Sequence, residues 1–184
     1  MIPSFRLRRA RDALRGGGVI AYPTEAVYGL GCDPADPDAV LRVIELKDRD
    51  PRKGMLLIAS SPAQLSGWVA DDALADPRLA ATWPGAVTWL VPAGPLAHPL
   101  ITGGRARIGV RVTAHPGAAA LCRAFGGPIV STSANRTGRP PLRDALSVRR
   151  VFGHTLDAIV NGPTGGRRRP SEIRDFDTGT VVRG

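Results

Sequence analysis

Val19-Ile20-Ala21-Tyr22-Pro23-Thr24-Glu25-Ala26-Val27-Tyr28-Gly29-Leu30-Gly31 holds the first strand of the chain and its first polar loop. Val19 to Tyr22 is a short continuous apolar run closed by a proline, the pattern of a buried strand. Thr24 and Glu25 then stand ahead of a glycine-bordered apolar stretch. An ordinary strand-to-turn connection explains the proline and glycines, and a functional loop explains the polar pair. Upstream, Leu7, Ala10 and Leu14 recur at helical spacing between a Ser4 cap and the stop Gly16 to Gly18, which predicts an amphipathic helix over 5–15. Downstream, Asp36 and Pro37 open a second helix through Val40, Val43 and Ile44 that ends at Lys47.

The alternation then repeats. Met55 to Ala59, Val87 to Val91, Ile108 to Val112, Pro128 to Ser131 and Ile159-Val160 read as strands. Short helices start at Ser61-Pro62 and Asp76-Pro77, and longer ones run from Pro116 to Phe125 and Leu142 to Phe152. Glu172 to Phe176 and Thr180 to Arg183 flank the turn Asp177-Thr178-Gly179 as a closing hairpin. The expected fold is α/β, a single domain over 1–184 with a twisted mixed sheet flanked by helices. The 184 residues, 43 % of them hydrophobic, suffice for one core. The 22 glycines and 17 prolines are spread between apolar runs, which excludes extended disorder. No apolar run approaches the roughly 18 residues that span a bilayer. The N-terminus lacks a secretory apolar region and the two cysteines lie far apart, so a cytoplasmic protein without membrane association is expected.

The net charge is +9, and 23 of the 25 cationic side chains are arginine; the two lysines, Lys47 and Lys53, fall within one seven-residue window. A lysine kept in so arginine-rich a chain suggests a place where a compact ammonium is wanted. Standard machinery is absent: there is no Walker A string, no G-x-G-x-x-G after a strand, no H-E-x-x-H and no C-x-x-C. His98, His115 and His154 share no ligand spacing, and each sits where a turn or cap explains it, so no protein-held metal is expected.

Three loops remain. Lys47-Asp48-Arg49-Asp50-Pro51-Arg52-Lys53 carries cations past the last helical turn, beyond what the helix dipole accounts for, and suits a polyphosphate. Ser131-Thr132-Ser133-Ala134-Asn135 places four hydrogen-bonding side chains in five residues at a strand end, which suits a ligand gripped by donors and acceptors. Thr164-Gly165-Gly166-Arg167-Arg168-Arg169 is a flexible glycine entry to three arginines, which by themselves read as a solvated basic loop. Lys47 and Arg49 are both expected outside the apolar core, so that alanine at either would leave the fold intact.

Taken in order, the strings PTEAVYGLG (23–31), K-D-R (47–49), WPGAVT (83–88), VRV-T-AHP (110–116), STSAN-x-x-G (131–138) and PSEIRD (170–175) resemble the YrdC/TsaC family of threonylcarbamoyl-AMP synthases, in its short bacterial form. The resemblance implies a sheet around a basic concave cavity. It implies a nucleotidyltransferase that joins L-threonine, bicarbonate and ATP, with Mg2+ on the ATP, into threonylcarbamoyl-AMP and pyrophosphate. Partner enzymes of the threonylcarbamoyl transferase complex then modify tRNA, with direct tRNA contact by this subunit left open. On the same basis Lys47, Arg49, Ser133 and Asn135 form a catalytic tetrad on the phosphates, and Lys53, Arg183 and the backbone near Arg107 add ATP contacts. Arg111 pairs with the threonine carboxylate, and Thr24, Ser131 and Ser171 shape that pocket. The 164–169 segment is the candidate lid. The chain departs from many relatives at Asp50, which precedes Pro51, and from longer ones at Ala26 and Ile58.

The chemistry agrees with the missing triad. A carbamate is already an anionic nucleophile, so attack on the α-phosphorus needs cations that suppress repulsion and stabilise the leaving pyrophosphate rather than a strong base. Two other readings stand beside this one: a non-catalytic RNA-binding module, from the charge and arginine clusters, and a related carbamoyl-adenylate former in metalloenzyme maturation. With only 5 % aromatic residues, stacking platforms for bases are scarce.

Overall fold

The computed structural model describes residues 2–183, the side chain of Arg183 excepted. Its helices are α1 (Ser4–Arg15), α2 (Pro37–Leu46), α3 (Asp71–Leu74), α4 (Pro77–Ala80), α5 (Pro99–Thr102), α6 (Pro116–Phe125) and α7 (Ala145–Phe152). The strands are β1 (Ile20–Pro23), β2 (Tyr28–Gly31), β3 (Leu56–Ala59), β4 (Val87–Pro92), β5 (Arg107–Val112), β6 (Ile129–Ser133), β7 (Ala158–Ile159), β8 (Glu172–Asp175) and β9 (Val181–Arg183). They form one mixed sheet in the order β7-β1-β2-β6-β3-β5-β4-β8-β9, with β7–β1, β3–β5 and β4–β8 parallel and the other pairs antiparallel. No helix among the described residues is long and apolar enough to cross a membrane.

β1 and β3 are apolar because both faces are covered. Ile20, Tyr22, Ile58 and Ile129 pack with Ala10 and Leu14 of α1 and Leu121 and Cys122 of α6. Their neighbours Ala21, Leu57, Ala59 and Val130 face the opposite cluster, built on Val40, Val43 and Ile44 of α2. The two-residue period of a strand thus divides one apolar run between two cores.

Three readings need correction. Ser4 is the first residue of α1, and Pro3 is its N-cap, without a side-chain cap bond. The helix expected from Leu142 begins at Ala145, because the Asp144 side chain caps it by accepting from the Ser147 N–H. The stretch after Glu25 is a strand, β2, which forms a hairpin with β1. Gly31 is required there: a Cβ would stand 2.4 Å from the Val130 carbonyl oxygen and 2.9 Å from the Tyr22 ring.

The end of α2 positions the cationic loop. Asp36 caps its start, accepting from the N–H groups of Asp38 and Ala39. At its end the Asp48 N–H donates to Glu45 O and the Arg49 N–H to Ile44 O, both at 3.0 Å, a Schellman closure with Asp48 at φ 50°. An aspartate in that left-handed position costs about 1–2 kcal/mol. Asp48→Gly is therefore expected to raise unfolding free energy by up to about 1 kcal/mol after the extra chain entropy of glycine, checked by urea denaturation.

Candidate active site

The loop after β6 meets the end of α2 through Lys47. Its ammonium donates to Ser133 O at 2.5 Å, to Asn135 O at 2.7 Å and to Asn135 Oδ1 at 3.3 Å, while its own carbonyl accepts from the Thr137 N–H at 2.8 Å. Ser133 Oγ donates to Asn135 Oδ1 at 2.6 Å. Three of the four expected tetrad residues are therefore wired together directly. Lys47 is only 3 % exposed: it stands outside the two apolar clusters but is buried among polar atoms, so alanine there does not leave its surroundings intact as expected. Its three donors match three convergent oxygens, which a planar guanidinium could not do in the same space. Burial, and then the nearby Arg49 charge, draw the Lys47 ammonium down to about 8.

Arg49 donates through Nε and NH2 to Gly54 O, at 3.3 and 3.1 Å, which fixes its guanidinium beside the start of β3. It lines a cavity of about 250 Å³ together with Ser133, Ser131, Arg111, Thr24 and Ser171. Of the residues expected on phosphates, Arg49 and Ser133 open into the same space as those expected on an amino-acid carboxylate, whereas Lys47 and Asn135 stand behind the lining. Strand register brings in Arg111: it pairs with Ile58 on β3, while Ser131 pairs with Leu56, so both project from the same sheet face. Thr24 Oγ1 donates to Val27 O at 2.7 Å and closes the β1–β2 turn, and Ser171 Oγ accepts from Thr88 Oγ1 at 3.3 Å.

Glu25 is the cavity residue to which the sequence assigned no role. Its Oε1 accepts from Thr113 Oγ1 at 2.7 Å and from the Ala114 N–H at 3.2 Å, and its Oε2 lies 3.4 Å from Arg111 NH2. Both side chains are about nine-tenths buried, yet Glu25 Oε2 and Arg111 Nε have no hydrogen-bond partner. Burial pushes the Glu25 carboxyl up, but the Arg111 guanidinium and the Thr113 hydroxyl outweigh it and hold it below the usual carboxylate range. A donor and an acceptor without a hydrogen-bond partner, on two residues that line one cavity, suit a ligand that offers both carboxylate and amine.

The 164–169 segment docks along the same loop: the Gly165 N–H donates to Thr24 O at 2.9 Å and the Arg167 N–H to Glu25 O at 3.0 Å. Arg143 holds it from the other side, donating to Arg168 O at 3.0 Å. Arg167 and Arg169 line the cavity, so this basic loop is not simply solvated.

Other expected residues lie elsewhere. Lys53 is exposed on the 3-10 turn Pro51–Lys53 and outside the cavity lining. The Arg107 guanidinium is bound by Asp175 and Asp177 on the β8 side, and Arg107 is not among the residues that line the cavity. The Arg183 side chain lies outside the described residues. Ile58 is in the core, whereas Ala26 lines the cavity. His115 caps α6, accepting from the Ala118 N–H, and its Nε2 lies 3.1 Å from Pro163 O. Cys32 and Cys122 are buried free thiols, each pushed up by burial, Cys122 to about 12.

The family model Sua5/YciO/YrdC, described as "Telomere recombination", matches residues 12–183. Two similar proteins named "Threonylcarbamoyl-AMP synthase" are those of Alkalilimnicola ehrlichii, 56 % identical with 98 % of this chain and 96 % of that one covered, and of Cellvibrio japonicus, 54 % identical with 97 % and 95 % covered. Among solved structures, P. abyssi Sua5 complexed with L-threonine superimposes with a TM-score of 0.92 at 30 % identity; all of this chain is covered, and it spans 55 % of the Sua5 chain. E. coli YciO gives 0.82 at 29 % identity, covering 96 % of this chain and 87 % of its own. With its mixed sheet and matches that run nearly end to end, the chain belongs to the Sua5/YciO/YrdC family.

Proposed function

We propose that this protein, acting as one domain, is a threonylcarbamoyl-AMP synthase. The observation that carries this reading is that Arg49 and Ser133, suited to phosphates, share one cavity with the Arg111–Glu25 pair, suited to an amino acid. About 250 Å³ lies just under the range of about 300–1,000 Å³ usual for whole ligands. It accommodates an amino-acid carbamate and phosphates, with the nucleoside outside.

Threonine and bicarbonate condense with loss of water to the carbamate. Arg111 holds the α-carboxylate, and Glu25 Oε2 accepts from the amine before it is carboxylated. A carbamate oxygen attacks the α-phosphorus, the bond to the bridging oxygen breaks, and pyrophosphate leaves with the electron pair. Arg49 and the Lys47-organised loop stabilise charge on the phosphates, and magnesium enters as part of the ATP substrate. Arg167 and Arg169, on the docked 164–169 segment, close the cavity over the labile product. The product then passes, in the cytoplasm, to the transferase machinery that modifies tRNA; a direct tRNA contact is part of this reading.

Pyrophosphate release that requires L-threonine and bicarbonate together tests the reading. Release without threonine, or tRNA binding with no release, overturns it. Lys47 supplies a second test. With its ammonium drawn down to about 8 by burial and by Arg49, Lys47 is expected to be partly neutral near pH 8 before nucleotide binds, and a triphosphate favours the charged form. ATP binding at pH 8 is therefore expected to take up as much as roughly half a proton per site, read by calorimetry in buffers of different ionisation enthalpy.

A further inference from the structure

A second groove, of about 270 Å³, shares no lining residue with the catalytic cavity. It lies along β7 at the edge of the sheet, between the start of α1 and the end of α7. Arg6 and Arg9 come from α1, Arg149 from α7 and Asn161 from beyond β7. Among the described residues no ion pair or hydrogen bond engages the side chains of Arg6, Arg9 or Arg149; Arg6 stands over the Phe5 ring, 5.7 Å from its centroid. The acid in the groove, Asp157, has its charge countered by Arg42 at 3.0 Å, and the same Oδ2 accepts from the Val19 N–H at 2.8 Å. Three guanidiniums without a counter-ion repel one another and leave their forked donors open to a tetrahedral oxyanion.

The second observation is independent of charge. Asn161 Oδ1 is buried in this lining without any donor, and an acceptor in that state costs about 1–3 kcal/mol. A ligand that brings a hydroxyl beside its phosphate satisfies both features. We propose that the α1–α7 groove is a second anion site, separate from the catalytic cavity, which takes a phosphate ester carrying a free hydroxyl. Ribonucleotides have this chemistry whether free or linked in an RNA chain. The arginines take the phosphate oxygens, and Asn161 accepts from the ribose hydroxyl.

The test measures binding of three fluorescent probes to the full chain: AMP, a short oligoribonucleotide and the deoxy oligonucleotide of the same sequence. Arg9→Glu/Arg149→Glu is expected to weaken AMP or oligoribonucleotide binding at least tenfold, with threonine-dependent pyrophosphate release unchanged. Arg105→Glu/Arg123→Glu, an equal charge change at exposed positions outside the groove lining, is expected to weaken it less than threefold. Asn161→Ala is expected to narrow the preference for ribo over deoxy probe, and Arg49→Ala to leave groove binding in place. AMP binding that Arg9→Glu/Arg149→Glu removes and Arg49→Ala spares identifies free nucleotides as the source; binding of the oligoribonucleotide alone identifies RNA. Should the double reversal lower the thermal midpoint, Arg9→Gln/Arg149→Gln carries the same comparison. Failure of every probe to bind, equal losses in the control pair, or wild-type affinity in the groove variants overturns the proposal.

Discussion

Arg49→Ala is expected to lower threonine- and bicarbonate-dependent pyrophosphate release by about 10²–10³-fold, the usual effect of losing one preorganised charge stabiliser. Its thermal midpoint should move by only a few degrees. Arg49 lines the cavity and is tethered to Gly54 O, outside the apolar clusters, so its removal leaves the cores untouched. Lys47→Ala is expected to behave differently although it belongs to the same cationic loop. Its ammonium holds the Ser133 and Asn135 carbonyls, and alanine there strands buried acceptors at about 1–3 kcal/mol each. Loss of activity would then come with a melting temperature lower by several degrees. Activity and thermal melting measured on both variants separate the roles; normal turnover in Arg49→Ala would remove the phosphate assignment.

Arg111→Ala is expected to have the largest combined effect. It removes the carboxylate partner, so the KM for threonine should rise by at least about 10²-fold, in line with the several kcal/mol that breaking a buried charge pairing costs. It also leaves Glu25 buried without its counter-charge, at about 3–5 kcal/mol of stability, or roughly 10 °C of melting temperature. The pH dependence has a definite sign. With Arg111 present, Glu25 titrates below the usual range, so the stability it contributes is held above the unfolded pKa and lost as pH falls through the folded one. Without Arg111, burial dominates and raises the carboxyl. The folded variant then holds more protons than the unfolded chain, and its deficit shrinks on acidification. Adding Glu25→Gln should restore much of the stability but not the threonine KM. A deficit independent of pH would contradict the pairing.

What was legible beforehand was local. Asp36-Pro37 and the spacing of Val40, Val43 and Ile44 fix α2 within a few residues of one another, and α6 runs from Pro116 to Phe125 as its proline and glycine flanks imply. β2 was hidden because Gly29 and Gly31 weaken strand propensity. Their reason lies with the Tyr22 ring and with Val130, nearly a hundred residues away. The anion loops were visible as clusters of cations and hydroxyls. Lys47 as an internal tie was not, since nothing around it in sequence shows that Ser133 and Asn135 oxygens will enclose it. Glu25 and Arg111 sit 86 positions apart, and only the β3–β5 and β3–β6 registers bring Arg111 into the cavity beside it. The ion pairs of the Arg107 side chain were hidden for the same reason: its partners Asp175 and Asp177 arrive with the last hairpin.

A crystal structure with L-threonine and an ATP analogue that cannot be cleaved between the α- and β-phosphates tests most directly whether one chamber serves both substrates. The threonine carboxylate should lie on Arg111 with its amine toward Glu25, and the triphosphate should lie against Arg49 and Ser133 in the same space. Density for the two ligands in separate depressions, with no path from the amine to the α-phosphorus, would contradict the account.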